Sequence, residues 1–205
     1  SQRLGEMRHA LSKWQNEIGD VGLIPEAEIE ILEQDAGSRF EILHGNPGDS
    51  PVEDRLATLV DIATSASKGP TSIPQLLHAL ENKDASIRYW AATGIGNIGN
   101  PAKSTHARVA QCLDDPSPSV RIAAARAVAK LGSPQDALPV LEAELQSDYQ
   151  WGRLAAAIVL DEMDDEARPA LPSLKQALQN QPNKYIVRVA NRAINELENT
   201  DHQVP

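Results

Sequence analysis

The sequence predicts an all-α fold: a right-handed α-solenoid of antiparallel helix pairs, each about 33 residues long, behind a short N-terminal helical segment. Three observations predict it. Four apolar segments end in Leu80, Leu113, Leu145 and Leu178, spaced 33, 32 and 33 residues apart. A second family of segments interleaves with them, and its column Ile98, Leu131, Met163 and Leu197 steps by 33, 32 and 34. Aromatic residues make up only 3% of the chain, so the core must be aliphatic and alanine-rich, which suits closely packed helices. A fixed period of this length is the signature of an array in which each unit buries its apolar face against its neighbours.

Residues 1–50 do not repeat. Leu4, Met7, Leu11, Trp14 and Ile18 fall at alternating steps of 3 and 4, the apolar stripe of a helix over Gln2–Glu17. Gly19-Asp20 ends it, and Pro25 opens a second short helix through Leu32. "HGNPGDSP", His44–Pro51, is turn-rich and reads as a linker. The array then occupies residues 51–198 and leaves 199–205 as a tail.

The array opens with "VEDRLATLVDIATSAS" followed by Ile73–Leu80. Its first helix departs from the consensus, as terminal units do when one side faces solvent. The later first helices are "SIRYWAATGIGNIG", "SVRIAAARAVAKLG", "WGRLAAAIVLDEMD" and "YIVRVANRAINELE". They share an apolar column, Ile95, Val128, Leu160 and Ile194, and a small one, Ala91, Ala124, Ala156 and Ala190. Small side chains let a paired helix come close. The second helices, "IPQLLHAL", "HARVAQCL", "LPVLEAEL" and "LPSLKQAL", carry apolar residues one turn apart, as in Leu171, Leu174 and Leu178. Pro74, Pro139 and Pro172 share one column, which places proline in the first turn, where its missing N–H costs nothing. Gly99, Gly132, Pro101 and Pro134 mark the turns between helices. Stacking of four to five such units predicts one continuous core.

One motif points elsewhere. "ATGIGNIGNP" contains Gly94, Gly96 and Gly99, a literal G-x-G-x-x-G, with Asp114 downstream. A dinucleotide site needs a strand before these glycines and a βαβ unit around them. The repeat supplies a helix instead: one period later, Gly94 and Gly96 become Ala127 and Ala129, and Gly99 becomes Gly132. The first two are then small-residue positions inside a helix and Gly99 is its C-cap. On helix propensity alone, alanine at 94 and 96 should stabilise the fold or leave it unchanged.

Composition excludes several function classes. The net charge is −10, with 29 acidic and 19 basic residues. That opposes general binding to nucleic acid, anionic membranes or polyanionic polysaccharide. No apolar run is long enough to span a bilayer, and no signal-peptide pattern is present. The chain begins at Ser1, which says nothing about targeting. The single Cys112 permits no internal disulfide and no multi-cysteine zinc site.

The pattern V-R-x-x-A-A-x-A-L-x-x-L-G followed by A-L-P-x-L-x-x-A-L, carried by Val120–Gly132 and Ala137–Leu145, resembles HEAT-like repeats of the short, lyase-associated type. "LSKWQNEIGDVGLIPE", Leu11–Glu26, resembles the end of the conserved region in bacterial sulfatases of the arylsulfatase type. "IRYWAATGIGNIG" and Asn183–Leu197 resemble the HEAT-like C-terminal extension that some of them carry. The resemblance implies a C-terminal part of a sulfatase without its catalytic domain, and a periplasmic or extracellular location. Sulfatases make formylglycine from a [CS]-x-P-x-R motif. Here Cys112 is followed by Leu-Asp-Asp, and "SPSVR" (Ser117–Arg121) has its proline in the wrong place. Asp114-Asp115 and Asp164-Asp165 lack the context of the family's calcium ligands. No catalytic residue, cofactor site or metal site is therefore expected in this chain.

Several residues admit a functional and a structural reading. Arg88, Arg121 and Arg153 recur at steps of 33 and 32 and could bind a sulfated glycan; resemblance to other repeats with an arginine near the start of the first helix implies instead that they bond neighbouring carbonyls or acids. Tyr89 and Trp90 could stack on a sugar, but Trp90 shares a column with Ala123 and Ala155 and is expected to fill space against the preceding unit. Trp151 is expected to cover the gap beside Gly152, and Tyr149 and Tyr185 sit in turns between units. Asp161–Pro169 lacks EF-hand spacing and reads as a solvated turn, with Asp165 and Glu166 favouring the next helix through its dipole. His106 reads as a satisfied, half-buried histidine.

The expected function is non-catalytic: a scaffold or protein-interaction domain whose partner is another protein or the missing sulfatase catalytic domain. A sulfated-glycan or other ligand-binding module and a free-standing HEAT-repeat interaction protein are the alternatives. Solenoids present an extended surface along their second helices, which nominates Gln75, His78, Arg108, Gln111, Glu142, Lys175 and Gln176. Leu4, Met7, Leu11 and Trp14 are expected to face either the solenoid or the missing domain.

Overall fold

A computed structural model describes residues 2–44 and 52–202. Among them all regular elements are helical. Three helices, α1 (Gln2–Ile18), α2 (Glu26–Ala36) and α3 (Arg39–His44), form the N-terminal segment. The array pairs α4 (Val52–Ser65) with α5 (Ile73–Ala79), α6 (Ala85–Ile98) with α7 (His106–Ala110), α8 (Pro118–Lys130) with α9 (Pro134–Leu145), and α10 (Gln150–Glu162) with α11 (Leu171–Ala177). The last first-type helix, α12 (Lys184–Glu198), ends it. The expected linker falls on residues 45–51, outside the described residues, apart from His44, which ends α3.

Local chemistry sets these boundaries. Asp84, Ser117 and Asn183 cap α6, α8 and α12 by accepting backbone N–H bonds from Ser86, Val120 and Tyr185. Gly99 ends α6 at φ 67° and Gly132 follows α8 at φ 100°, left-handed backbone that glycine adopts freely. The helix opened by Pro25 runs past Leu32 to Ala36, where Gly37 stops it at φ 91°. The α3 helix was not expected, although Ser38 and Glu41 hold its start by a mutual capping contact. Pro74 and Pro172 lie in the first turns of α5 and α11 as expected. Pro139 does not: α9 already begins at Pro134, so Pro139 is inside it.

The repeat columns are the core. Leu76, Val109, Leu141 and Leu174 are fully buried, as are Ala91, Ala124, Ala156 and Ala190. Each leucine removed from water contributes on the order of 2 kcal/mol. The expected single core is instead two clusters. The first runs from Ile24 to Leu131 and the second from Ile122 to Leu197. Helix α8 serves both, giving Val120, Ala124 and Val128 to one and Ile122, Ala125 and Ala129 to the other. The two clusters therefore meet at α8 itself, and a cleft opens where α6, α8, α10 and the start of α2 come together.

The N-terminal segment folds back onto the first helices. Helix α2 packs on α8 and α10, and α1 rests on α4. Ile24, Ala27 and Ile29 are buried. Trp90 Nε1 donates to the Leu23 carbonyl at 2.6 Å, and the Ser117 hydroxyl donates to the buried Glu28 carboxylate.

Candidate interaction surface

The arginine row is built into the turns. Arg88 makes a bidentate pair with Asp115, at 2.7 and 2.8 Å, and donates to the carbonyls of Asn82 and Lys83. The hydrogen bond to Asp115 raises the Arg88 pKa above its ordinary value. Arg121 repeats the pattern one unit later, binding Glu144 at 2.6 Å and the carbonyls of Asp115 and Pro116. Arg55, missed in the sequence although it lies one period before Arg88, binds Asp84 at 2.5 Å and the Ile42 carbonyl. Arg88 thus ties one turn to the next, Arg55 ties α3 to the turn before α6, and Arg121 ties its turn to the end of α9. The ladder runs out at Arg153, which donates to the Ser147 carbonyl and leaves its Nε buried and unpartnered. The following turn, Gln179–Asn183, contains no acid to receive it.

The seven nominated residues do lie on second-type helices or their ends, but many engage neighbouring units. Arg108 pairs with Glu81 and Glu142 accepts from the Ser173 hydroxyl, whereas Gln75 bridges Asp61 and Ser65 within its own unit. Lys175 donates to Glu198 at 2.6 Å. His78, Gln111 and Gln176 point to solvent. The face is polar and is cross-linked along its length by pairs of modest individual strength.

The opposite face holds the cleft. Its volume is about 510 Å³. Tyr89, Thr93 and Asn97 of α6 and Ser119, Ile122, Ala123 and Arg126 of α8 form one wall. Trp151, Leu154, Ala155 and Ile158 of α10 form the other, and the start of α2 closes an end. Arg126 donates to Glu162 at 2.6 Å and to Asn97 at 2.8 Å. Burial raises the Tyr89 pKa. Trp90, expected to pack against the preceding unit, also reaches the N-terminal segment through Leu23 and meets the Tyr89 ring edge-on at 5.3 Å. Beside Gly152, the nearest atoms beyond its two chain neighbours belong to Tyr149, Ser147 and Glu144.

Other nominated groups divide in the same way. Asp164, Asp165 and Glu166 are exposed, as a solvated turn requires. Asp161 is not: its side chain is 10% exposed and pairs with Arg192 at 3.2 Å. Desolvation raises its pKa. His106 is less satisfied than expected, since Nε2 has no hydrogen-bond partner and lies 3.9 Å from Asp136. Cys112 is buried and free, and burial pushes its thiol pKa up. Among the described residues no group of histidine, cysteine and acid side chains is arranged to hold a metal ion, and no helix is long and apolar enough to cross a membrane.

The glycine fingerprint is a helix–helix seam. Gly94 and Gly96 are buried inside α6. A Cβ on Gly96 would lie 3.0 Å from Ala127 Cα on α8. A Cβ on Gly94 would meet the Leu76 methyls at 3.0 and 3.1 Å. For the alanines expected to fit at both positions, the obstacle at Gly96 is the α8 backbone and at Gly94 the end of a flexible side chain.

The N-terminal helix carries the largest uncovered apolar feature among the described residues. Leu4, Met7, Leu11, Trp14 and Ile18 are between 47% and 63% exposed. They do not pack into the solenoid.

Residues 107–195, from α7 into α12, match a family model described as HEAT repeats. No curated protein matches the chain.

Proposed function

Taking as premise that the chain carries a HEAT-like repeat region, we propose that it is a non-catalytic scaffold that binds a protein partner along α1. HEAT repeats are in general interaction modules rather than enzymes. The observation that supports this reading is the bare stripe of α1: five apolar side chains on one helical face, each about half exposed. A contiguous apolar face left in water marks a contact surface. The rest of α1 is polar, so the helix has the form of an amphipathic element that lacks its second side.

The partner we favour is a sulfatase catalytic domain of the arylsulfatase type, to which this region would be the C-terminal appendage. The support is the resemblance of Leu11–Glu26, a stretch that spans the second half of α1 and the turn into α2. The match to HEAT repeats begins at residue 107 and does not reach it. In this reading Trp14 and Ile18 seat the catalytic domain, and the second-helix face with His78, Gln111 and Gln176 stays open to further partners. The internal pairs of Arg88 with Asp115 and Arg121 with Glu144 oppose a sulfated glycan as the ligand of this row.

The test is a paired substitution, Leu11→Glu with Trp14→Glu. Both side chains are exposed, so the melting midpoint should stay within a few degrees of wild type. Binding to an arylsulfatase-type catalytic domain supplied in trans should fall at least tenfold. A large drop in melting midpoint would show that the stripe packs on the protein itself, and unchanged binding would remove it as the contact.

A further inference from the structure

We propose that the cleft lined by α8 and α10 binds a mostly apolar small molecule that carries an aromatic ring, a hydrogen-bond acceptor and no negative charge. The volume, about 510 Å³, lies in the range of sites that enclose a small organic ligand. The walls are apolar where they are widest, with Ile122 and Ala123 facing Leu154, Ala155 and Ile158. Ile158 is 41% exposed at this opening, which is unusual for a residue in the middle of an array helix. Trp151 and Tyr89 supply aromatic surface at the two walls, and flat rings stack on such side chains with little entropic cost.

Polar groups in the cleft select the ligand's charge. Arg126 is the only cation among its described lining residues, and it is bonded to both Glu162 and Asn97. Among those residues no free positive charge remains for an anion, while the exposed Glu26 adds a negative charge that opposes one. Ser119 is different. Its residue is only 5% exposed, it lines the cleft, and its Oγ has no hydrogen-bond partner. A buried hydroxyl without a partner is costly, and an acceptor on a ligand would satisfy it. The site is distinct from the α1 stripe and from the second-helix face.

Nile red, a neutral aromatic dye with a carbonyl acceptor, tests the assignment on the full chain. Its emission should rise and shift to the blue with saturable binding of one equivalent, accompanied by quenching of Trp151. Ala155→Phe, which fills the cleft, should weaken binding at least tenfold. Ile158→Glu, at an exposed position that leaves folding intact, should do the same. Ser119→Ala should weaken it about fivefold, the value of one hydrogen bond. Leu11→Glu with Trp14→Glu should leave the affinity unchanged. Loss of binding in the α1 variant, retention in both cleft variants, or the absence of saturable binding would each overturn the proposal. None of these outcomes depends on whether α1 holds a partner.

Discussion

Alanine at position 96 sets two effects of known size against each other. In the middle of a helix, glycine is about 1 kcal/mol less favourable than alanine, so Gly96→Ala gains that amount in α6. The added methyl must then fit 3.0 Å from Ala127 Cα and 3.1 Å from Ala127 Cβ. Both belong to a buried helix, and α8 cannot move aside without disturbing the two clusters it serves. Overpacking of this kind costs about 1–3 kcal/mol. The net effect is a loss of up to about 2 kcal/mol, or roughly 2–4 °C in melting midpoint per kcal/mol for a chain of this size. Gly94→Ala has the same helical gain, but its obstacle is the methyl ends of Leu76, which can rotate, so it should sit closer to neutral. Ala127→Gly in the Gly96→Ala background removes the opposing methyl but leaves the α8 backbone in place, and should recover part of the loss. Thermal melts followed by circular dichroism read all four proteins. If Gly96→Ala raises the midpoint, as propensity alone would have it, the close approach of α6 and α8 is refuted.

Two further outcomes follow from the turns. Arg88→Ala strands Asp115, whose side chain is 8% exposed, and two carbonyls; it should cost roughly 3 kcal/mol in urea unfolding. Arg153→Ala loses a single bond and removes an orphaned Nε, so it should cost about 1 kcal/mol or less; equal losses would contradict the ladder. Asp161 has a raised folded-state pKa, so its charged form opposes folding above that pKa, and the penalty fades as the pH falls through it. Asp161→Asn should therefore raise the melting midpoint at neutral pH, with a gain that shrinks in acid; a lower midpoint at neutral pH would show that the Arg192 pair outweighs desolvation.

The repeat was legible because it is written in columns. Leu76, Val109, Leu141 and Leu174 recur in register, and burial follows the register. The arginines were legible for the same reason, but their acids were not. Asp84, Asp115 and Glu144 sit at different offsets from the period, so no column marks them. Arg55 was hidden by the poor consensus of its helix, and α3 by its shortness, although Ser38 and Glu41 carried a capping signal. The cleft could not be read at all. It depends on how far α10 stands from α8, a distance that no local pattern encodes. The contact of Trp90 with Leu23 joins residues 67 apart and lies outside the repeat logic.

The placement of α2 has a mechanical consequence. It touches α8, where the two buried clusters meet, and α10, which belongs to the second, while its own Ile29 belongs to the first. A stack of helix pairs bends most easily where its filling is interrupted, and here that hinge line is crossed by a strap. Flexing the array about it must shear α2 against one wall or the other, and must work against the bond from Ser117 to Glu28. The stiffness of the whole spring is thus held by a segment that does not itself repeat.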